Sequence, residues 1–361
     1  MATYSTIQEM FLLNISSNKG ASLTGPNLED QILQKILAFY KDYQINDWQV
    51  VWGPGVYVKT QGHTPDNVAY IAYNATTSSY FLSVAGTNPL SIVDWMEDLN
   101  TGTTVAWPWN TTGNSGQIAA GSNDALGVIV NLQGREVVGG VHSGDPMTIQ
   151  AYLQTVTGQK TPGSCSLITG GHSLGGALSP LAALWLADTQ DAYDPAKVIG
   201  NFSSWPSAGP TAGDADFKAY YDSRIPQTYR IHNTIDVVPH AWNLADLNAI
   251  KTLYAPGIGH SDCVDWLVDR EIKKVQSIDY QQAGLQDKSL SGTVNPSIIK
   301  RYLPNGINFG LQLDYQHINA YFDLLGLTTD PSYKIENILS QREAYWSGVA
   351  ATVKTASRVS Q

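Results

Sequence analysis

A serine flanked by glycines joins two apolar runs near the middle of the chain. Residues 170–176 read Gly-Gly-His-Ser-Leu-Gly-Gly, with Ser173 at the centre. The short apolar run before the serine, 166–170, predicts a strand, and the Ala- and Leu-rich run after it, 174–188, predicts a helix. A Gly-x-Ser-x-Gly sequence at such a junction requires a sharp turn, because a strand and a helix approach this closely only where side chains are missing. We therefore expect a buried strand that leads directly into a helix.

Strand and helix patterns alternate on both sides of this turn. Runs rich in Val, Ile and Tyr predict further strands at residues 48–59, 68–74, 80–85, 198–205 and 227–235. Apolar periodicity predicts helices at residues 27–41, 147–156, 215–221 and 317–325. Residues 101–121 carry no charge and are rich in Gly, Thr and Asn, which predicts a long loop. This order predicts an α/β fold with a mostly parallel, doubly wound sheet and helices on both faces.

The whole chain is expected to form one domain. Its 361 residues are 43% hydrophobic and 14% charged, which is enough apolar material for one large sheet. No repeat or linker divides it. We expect a single domain over residues 1–361, with a helical segment at 1–45 and a further helix at 333–355.

Charge and composition exclude several classes of function. The net charge is -10 and the 21 Lys and Arg residues are scattered, which argues against a nucleic-acid partner. No apolar stretch approaches the roughly 20 residues of a membrane-spanning helix. The first residues lack a signal-peptide pattern, so a cytoplasmic or an already processed secreted protein is expected. The two cysteines have no metal-binding spacing, and no cofactor or metal is implied.

The turn at Ser173 suggests nucleophilic chemistry. A serine on such a turn presents its hydroxyl above the sheet, and the backbone N–H of Leu174, at the start of the helix, faces a bound acyl carbonyl. Ser173 is therefore the candidate nucleophile and Leu174 a candidate oxyanion donor. An ordinary glycine-rich turn is the alternative, and the strand-to-helix context favours the nucleophile.

An acid is expected at the end of a later strand, since nucleophile, acid and base follow one another along chains of this kind. Asp236 directly follows the predicted strand 227–235, at the carboxyl end where sites of such sheets gather. A carboxylate that only caps a loop is the alternative interpretation. Asp236 is the candidate acid.

Three histidines follow Asp236 and are candidates for the base. His240 is too near Asp236 in sequence to approach the site from a separate loop. His260 lies after a glycine-rich turn with acidic residues close by, which also suggests a metal or a solvated loop. His317 begins a predicted helix whose apolar face would anchor it, so His317 is preferred and His260 is the alternative.

Several motifs occur in the order found in one known family. They are Ala-Gly-Thr at 85–87, Trp-Met-Glu-Asp-Leu at 95–99, Val-His-Ser-Gly at 141–144, Gly-His-Ser-Leu-Gly-Gly-Ala at 171–177, Ala-Gly-Pro at 208–210 and Asp-Val-Val-Pro at 236–239. With these motifs the sequence resembles the class 3 lipases, a family of fungal triacylglycerol lipases and feruloyl esterases. The resemblance runs from about residue 68 to residue 325.

The resemblance implies an α/β-hydrolase fold and a serine hydrolase mechanism. It implies that Thr87 supplies further oxyanion donors and that Asp236 and His317 complete a triad with Ser173. The expected reaction is hydrolysis of acylglycerol esters through an acyl-enzyme, on lipid at an oil–water interface. A phospholipase A1 or a feruloyl-type esterase is the alternative, and a catalytically inactive lipase-like binding protein is the alternative of another class.

A lid is expected near the predicted oxyanion donor. Residues 88–99 carry Leu90, Ile92, Val93, Trp95 and Met96 in a segment followed by a polar loop. These side chains either pack in the core or cover the site in water and turn toward lipid, as the resemblance implies. We expect a lid and insertion over residues 88–140, with Trp107 and Trp109 suited to a lipid surface.

Overall fold

The computed structural model describes residues 4–60, 63–85, 100–110, 113–158, 160–337 and 339–359. These residues form two compact units. Unit 1 comprises Met1–Ile231 with Gln282–Asp287, and unit 2 comprises His232–Gln281 with Lys288–Gln361. The single-domain organisation over residues 1–361 stays a prediction.

The regular elements alternate as the sequence patterns predict. The strands are β1 (Gln49–Tyr57), β2 (Asn67–Asn74), β3 (Ser79–Val84), β4 (Thr104–Ala106), β5 (Gln117–Ala119), β6 (Gln133–Val138), β7 (Val141–Thr148), β8 (Cys165–His172), β9 (Ile199–Ser207), β10 (Gly213–Asp214), β11 (Tyr229–Asn233), β12 (Tyr280–Gln281) and β13 (Gln286–Leu290). The α-helices are α1 (Thr6–Ser16), α2 (Leu28–Asp42), α3 (Ala120–Asn131), α4 (Ile149–Thr157), α5 (Leu174–Asp188), α6 (Gln190–Tyr193), α7 (Ala215–Arg224), α8 (Leu244–Ile250), α9 (Asp262–Val275), α10 (Asn305–Asp314), α11 (Ala320–Leu324) and α12 (Leu339–Val359). A π-helical turn, Tyr315–Asn319, separates α10 from α11. In the described ranges, no helix combines the length and the apolar character needed to cross a bilayer.

The main sheet has strand order β13-β11-β9-β8-β3-β2-β1-β6-β7. Strands β3, β8, β9 and β11 run parallel, whereas β2, β1, β6 and β7 continue the sheet in antiparallel pairs. Strand β3 is buried along its whole length and β8 at most of its positions, which explains their nearly continuous apolar runs. The predicted α/β fold is confirmed.

Helices cover both faces of the parallel strands in unit 1. On β8, the Thr169 hydroxyl donates to the carbonyl of Ser179 on α5 at 2.8 Å. The next residue, Gly170, faces α1, because a Cβ built on it would lie 2.1 Å from the Asn14 side-chain oxygen. Successive residues of a strand face opposite sides of the sheet. Helices α1 and α5 therefore pack on opposite faces of β8.

The prediction of a loop without regular structure over 101–121 is wrong in part. Strands β4 and β5 pair across it in antiparallel register, with Val105 opposite Ile118. Helix α3 begins at its end, and the Trp107 indole is buried and donates to the Asp188 carboxylate at 2.9 Å. The sequence did not predict these strands, because each is only three residues long and the surrounding composition, rich in Gly and Asn, is typical of loops.

In unit 2, a buried ion pair fastens α12 to α10. Both carboxylate oxygens of Asp314 accept hydrogen bonds from Arg342, at 2.7 and 2.8 Å. The Trp346 indole donates to the same carboxylate at 2.8 Å. Trp346 also lies over Gly310, where an added Cβ would meet the indole at 2.1 Å. The two helices thus pack closely around one buried carboxylate.

We predict that Arg342→Met destabilises the protein by about 3–5 kcal/mol, because it leaves the buried Asp314 carboxylate without its cation. The matched control is Lys251→Met, which removes the more exposed pair with Asp269 and should change stability by less than about 1 kcal/mol. Urea unfolding and the melting temperature measure both. Equal small effects would contradict the importance of the Asp314 pair.

Candidate active site

Ser173 sits between β8 and α5 with a strained backbone. Its φ is 64° and its ψ is -126°, a region that residues with a Cβ rarely adopt. Its N–H donates to the carbonyl of Ser207 at the end of the neighbouring strand β9, at 3.0 Å. The turn predicted from the sequence is therefore present in unit 1, and Ser173 occupies its tip.

The surroundings of Gly171 leave no room for a side chain. A Cβ built on Gly171 would lie 2.4 Å from the Val84 carbonyl oxygen and 2.5 Å from the Gly175 carbonyl oxygen. The Val84 backbone cannot withdraw without breaking the pairing of β3 with β8, in which Val84 lies opposite Gly171. The glycine at position 171 thus lets β3, β8 and α5 meet within contact distance beside Ser173.

Of the two predicted oxyanion donors, Leu174 is among the described residues. Leu174 is the first residue of α5, where backbone N–H groups make no bond within the helix. Thr87 belongs to residues 86–99, which lie outside the described residues, as does the predicted lid segment at 88–99. Residue Ala85 is described and directly follows β3 at the level of the turn. Thr87 stays a prediction.

A buried polar cluster that the sequence analysis missed supports the turn from below. The Ser207 hydroxyl donates to the Gly171 carbonyl at 3.2 Å and lies 3.2 Å from Nδ1 of His172. Asn14 on α1 donates to the same hydroxyl at 3.1 Å and to the Trp205 carbonyl at 2.7 Å. Asn14, His172 and Ser207 are fully buried. Local patterns carry no signal for this cluster, because its members come from three distant segments.

In unit 2, the carboxylate of Asp236 meets the imidazole of His317. Nδ1 of His317 lies 2.9 Å from Oδ2 and 3.1 Å from Oδ1 of Asp236, and both side chains are fully buried. The carboxylate also accepts from the Tyr321 hydroxyl at 2.8 Å and from the backbone N–H of Val238 at 3.1 Å. A neutral imidazole whose Nδ1–H faces a carboxylate has Nε2 as its basic nitrogen. This arrangement suits a general base.

Tyr321 is a site residue that the sequence analysis missed. It follows His317 by four residues, and residues spaced this way on a helix share a face. Both side chains reach the same carboxylate. The spacing was readable from the sequence, but only once His317 had been placed on a helical segment facing Asp236.

The other two candidate histidines make different contacts. Nδ1 of His240 lies 2.7 Å from the backbone carbonyl of Asp236 rather than from its carboxylate. His260 is exposed, with Nε2 2.8 Å from Asp262 and Nδ1 3.6 Å from Asp265. Within the described ranges, no group of three or more His, Cys, Asp or Glu side chains has the arrangement to hold a metal ion.

Two further ionisable groups are buried in the same unit. Burial, together with the Asp236 and Asp314 carboxylates, raises the pKa of Tyr254 well above its usual value, so its phenol stays neutral. Burial also raises the pKa of Asp314, although hydrogen bonds from Arg342 and Trp346 and the charge of His317 act in the opposite direction. Burial is thus the largest influence on the pKa of both groups.

Part of the chain is similar in sequence to a known family. Residues 81–245 match the family described as Lipase (class 3). These residues include the end of β3, the turn at Ser173 and Asp236, and they end before His317. No curated protein has a sequence similar enough to match this chain.

Solved structures of lipases resemble the chain to different extents. The M37 lipase is 29% identical, with a TM-score of 0.76, and the match covers 97% of this chain and 99% of that one. The lipase from Rhizopus microsporus var. chinensis is 18% identical, with a TM-score of 0.44 and coverage of 68% and 71%. A triacylglycerol lipase described as having a serine protease triad is 20% identical, with a TM-score of 0.45 and coverage of 68% and 77%. The family match and the M37 lipase confirm the resemblance and the α/β-hydrolase fold.

Proposed function

We propose that the substrates of this chain, whose residues 81–245 match the class 3 lipase family, are the carboxylic esters of acylglycerols at an oil–water interface. The chain is a serine hydrolase of the lipase type. The observation that best supports the proposal is the likeness to the M37 lipase along almost the whole of both chains. Acylglycerols are the substrate class that this likeness favours over phospholipids and feruloyl esters.

The proposed chemistry is acyl transfer to Ser173 and then to water. His317 takes the hydroxyl proton as Ser173 attacks the ester carbon, and the alcohol leaves with that proton. Water then attacks the acyl carbon while His317 takes its proton, the bond from the Ser173 oxygen to the acyl carbon breaks, and the carboxylic acid leaves as the proton returns to the Ser173 oxygen. Asp236 orients the imidazole and stabilises its positive form, and its contacts with Tyr321 and Val238 keep the carboxylate in place.

The oxyanion of each tetrahedral intermediate needs donors fixed in advance. We assign this role to the backbone N–H groups of Leu174 and Thr87. The position of Leu174 at the start of α5 supports its assignment, because the helix dipole favours negative charge there. The assignment of Thr87 rests on the family resemblance and on the end of β3, where Val84 lies opposite Gly171.

We predict that Ser173→Ala folds normally and loses on the order of 10⁴-fold or more in ester turnover, because oxyanion donors alone do not replace the nucleophile. Turnover of p-nitrophenyl esters of short and long chains, and of emulsified triglyceride, measures the loss and the substrate class together. Turnover retained within about tenfold would place the nucleophile elsewhere. Fluorophosphonate should label the wild type and spare the variant, and an unlabelled wild type would favour a lipase-like binding protein.

We predict that His317→Ala loses as much turnover as Ser173→Ala, whereas His260→Ala stays within about twofold of the wild type. The reason is that Nδ1 of His317 contacts the Asp236 carboxylate, while His260 is exposed and contacts Asp262. Steady-state turnover at a pH where imidazole is neutral measures both variants. A large loss in His260→Ala alone would reverse the assignment of the base.

We also propose that residues 88–99 form a lid over the nucleophile. Its apolar side chains would be shielded in water and would contact lipid when the lid opens. Removing a large apolar side chain from water stabilises by about 1.5–3 kcal/mol, so an interface favours the open form. The class 3 resemblance and the apolar content of the segment support this proposal.

For the lid, we predict that replacing Trp95 and Met96 by Ser lowers activity on emulsified long-chain ester and leaves activity on soluble short-chain ester nearly unchanged. The substitutions remove the contacts that make opening favourable at a lipid surface. Both activities and the melting temperature are measured together. An equal loss on the two substrates with a large drop in melting temperature would assign these side chains to the core.

A further inference from the structure

Asn233, the last residue of β11, is bonded to the segments that carry Asp236 and His317. Its backbone N–H donates to the Tyr321 hydroxyl at 3.0 Å, and that hydroxyl donates to Asp236. Its side-chain Nδ2 donates to the backbone carbonyl of Gln316 at 3.1 Å and to Oε1 of Gln316 at 2.7 Å. We propose that Asn233 is a positioning residue that holds the imidazole of His317 against Asp236, an inference that rests on the proposed function.

In the π-helical turn Tyr315–Asn319, the Gln316 carbonyl does not accept from the residue that would donate to it in an α-helix. In an α-helix this carbonyl accepts from the N–H of Ala320, four residues later. Here the Ala320 N–H is bonded to the carbonyls of Ile318 and Tyr315 instead. Asn233 donates to the released carbonyl of Gln316. The amide of Asn233 therefore stabilises the π-helical turn that contains His317.

The orientation of the Asn233 amide is fixed by its partners. Its Oδ1 accepts from the backbone N–H of Ile235 at 3.2 Å, which leaves Nδ2 to face Gln316. The Gln316 amide is fixed in the same way, because its Nε2 donates to the Thr293 carbonyl at 2.8 Å and to the Gln312 side chain at 3.1 Å. Every amide in this chain of contacts has a partner of the correct kind, which rigidifies a buried network.

The network leaves little room for movement. Asn233, Gln312 and Gln316 are fully buried. A Cβ built on Gly292 would lie 2.0 Å from Oδ1 of Asn233, so the backbone at Gly292 closes over the amide. Lost hydrogen bonds in such a place are not replaced easily by water. A change at Asn233 should therefore be transmitted to the segment that carries His317.

The consequence for the reaction concerns geometry. Asn233 touches neither substrate nor reacting atom, and it acts through Gln316 and Tyr321 on the pair of Asp236 and His317. A general base misplaced by about 1 Å loses on the order of 100-fold in rate. Binding of the ester does not depend on the base in the same way. Loss of positioning should thus lower kcat and leave KM nearly unchanged.

The test uses two variants of nearly the same shape as asparagine in the full chain. Asn233→Leu removes every side-chain hydrogen bond, and Asn233→Asp replaces the donor by a second oxygen. We expect kcat on a soluble p-nitrophenyl ester to fall by about 10- to 100-fold in both, with KM within about threefold of the wild type.

The pH profile separates the two variants. The carboxyl group in Asn233→Asp can donate to the Gln316 carbonyl only when it is protonated. The ratio of its kcat to that of the wild type should therefore rise as the pH is lowered. The ratio for Asn233→Leu should stay constant with pH, because leucine has no proton to gain.

Asn308 on α10 provides a matched control in the same unit. It is buried, its Nδ2 donates to the carbonyls of Lys300 and Leu303 at 3.0 and 3.1 Å, and its Oδ1 accepts from the Lys300 N–H at 2.8 Å. These bonds hold a loop and do not reach His317. Asn308→Leu and Asn308→Asp should lower the melting temperature comparably and leave kcat within about twofold of the wild type.

The outcomes distinguish this inference from the proposed function. If kcat of the Asn233 variants matches that of the Asn308 variants at equal melting temperatures, Asn233 is only structural and the inference is wrong. If His317→Ala keeps wild-type turnover, the proposed base is wrong and this inference falls with it. Should Asn233→Leu fail to fold, Gln316→Met removes the second acceptor in a similar shape. A fall in its kcat with unchanged KM supports the positioning role, and an unchanged kcat contradicts it.

Discussion

A serine held at a φ of 64° is the constraint on which unit 1 depends. Backbone strain of about 1–3 kcal/mol persists only where the surroundings impose it. Here β3 and the start of α5 come so close to β8 that only glycine fits at residue 171. The hydrogen bond from the Ser173 N–H to Ser207 and the buried cluster around Asn14 fix the remaining side. The reactive hydroxyl is thus presented by a rigid part of the sheet rather than by a flexible loop.

Unit 2 depends on a different constraint, because it encloses two carboxylates, those of Asp236 and Asp314. The side chains of Asp236 and Asp314 are both buried. Asp236 accepts hydrogen bonds from Val238 and Tyr321, and Asp314 accepts them from Arg342 and Trp346 on α12. Burying an ionised carboxylate is unfavourable unless it is paired and hydrogen bonded. The Asp236 carboxylate therefore holds the segment with His317, and the Asp314 carboxylate holds α12 against α10.

How much of this could be read from the sequence depends on how local each feature is. The turn at Ser173 was predictable because the glycines, the serine and the flanking strand and helix lie within about twenty residues of one another. The helix expected from residue 317 begins instead with a π-helical turn that follows α10, and no periodicity distinguishes these forms. The partners of Asn233 are 83 residues away in sequence, at a distance where one chain carries no pairing signal. The short strands β4 and β5 escaped detection because three residues show no alternation.

The buried pair of Asp314 and Arg342 also affects the order in which parts of unit 2 fold during synthesis. During translation, Asp314 leaves the ribosome 28 residues ahead of Arg342. During that interval the carboxylate has no guanidinium, and enclosing it would be unfavourable. The enclosure of Asp314 between α10 and α12 can therefore be completed only after α12 has been synthesised. By then β8 and α5 have had time to form, since chains fold from the N-terminal part first during synthesis. The nascent chain thus completes the turn that holds Ser173 well before it can secure the segment that carries His317.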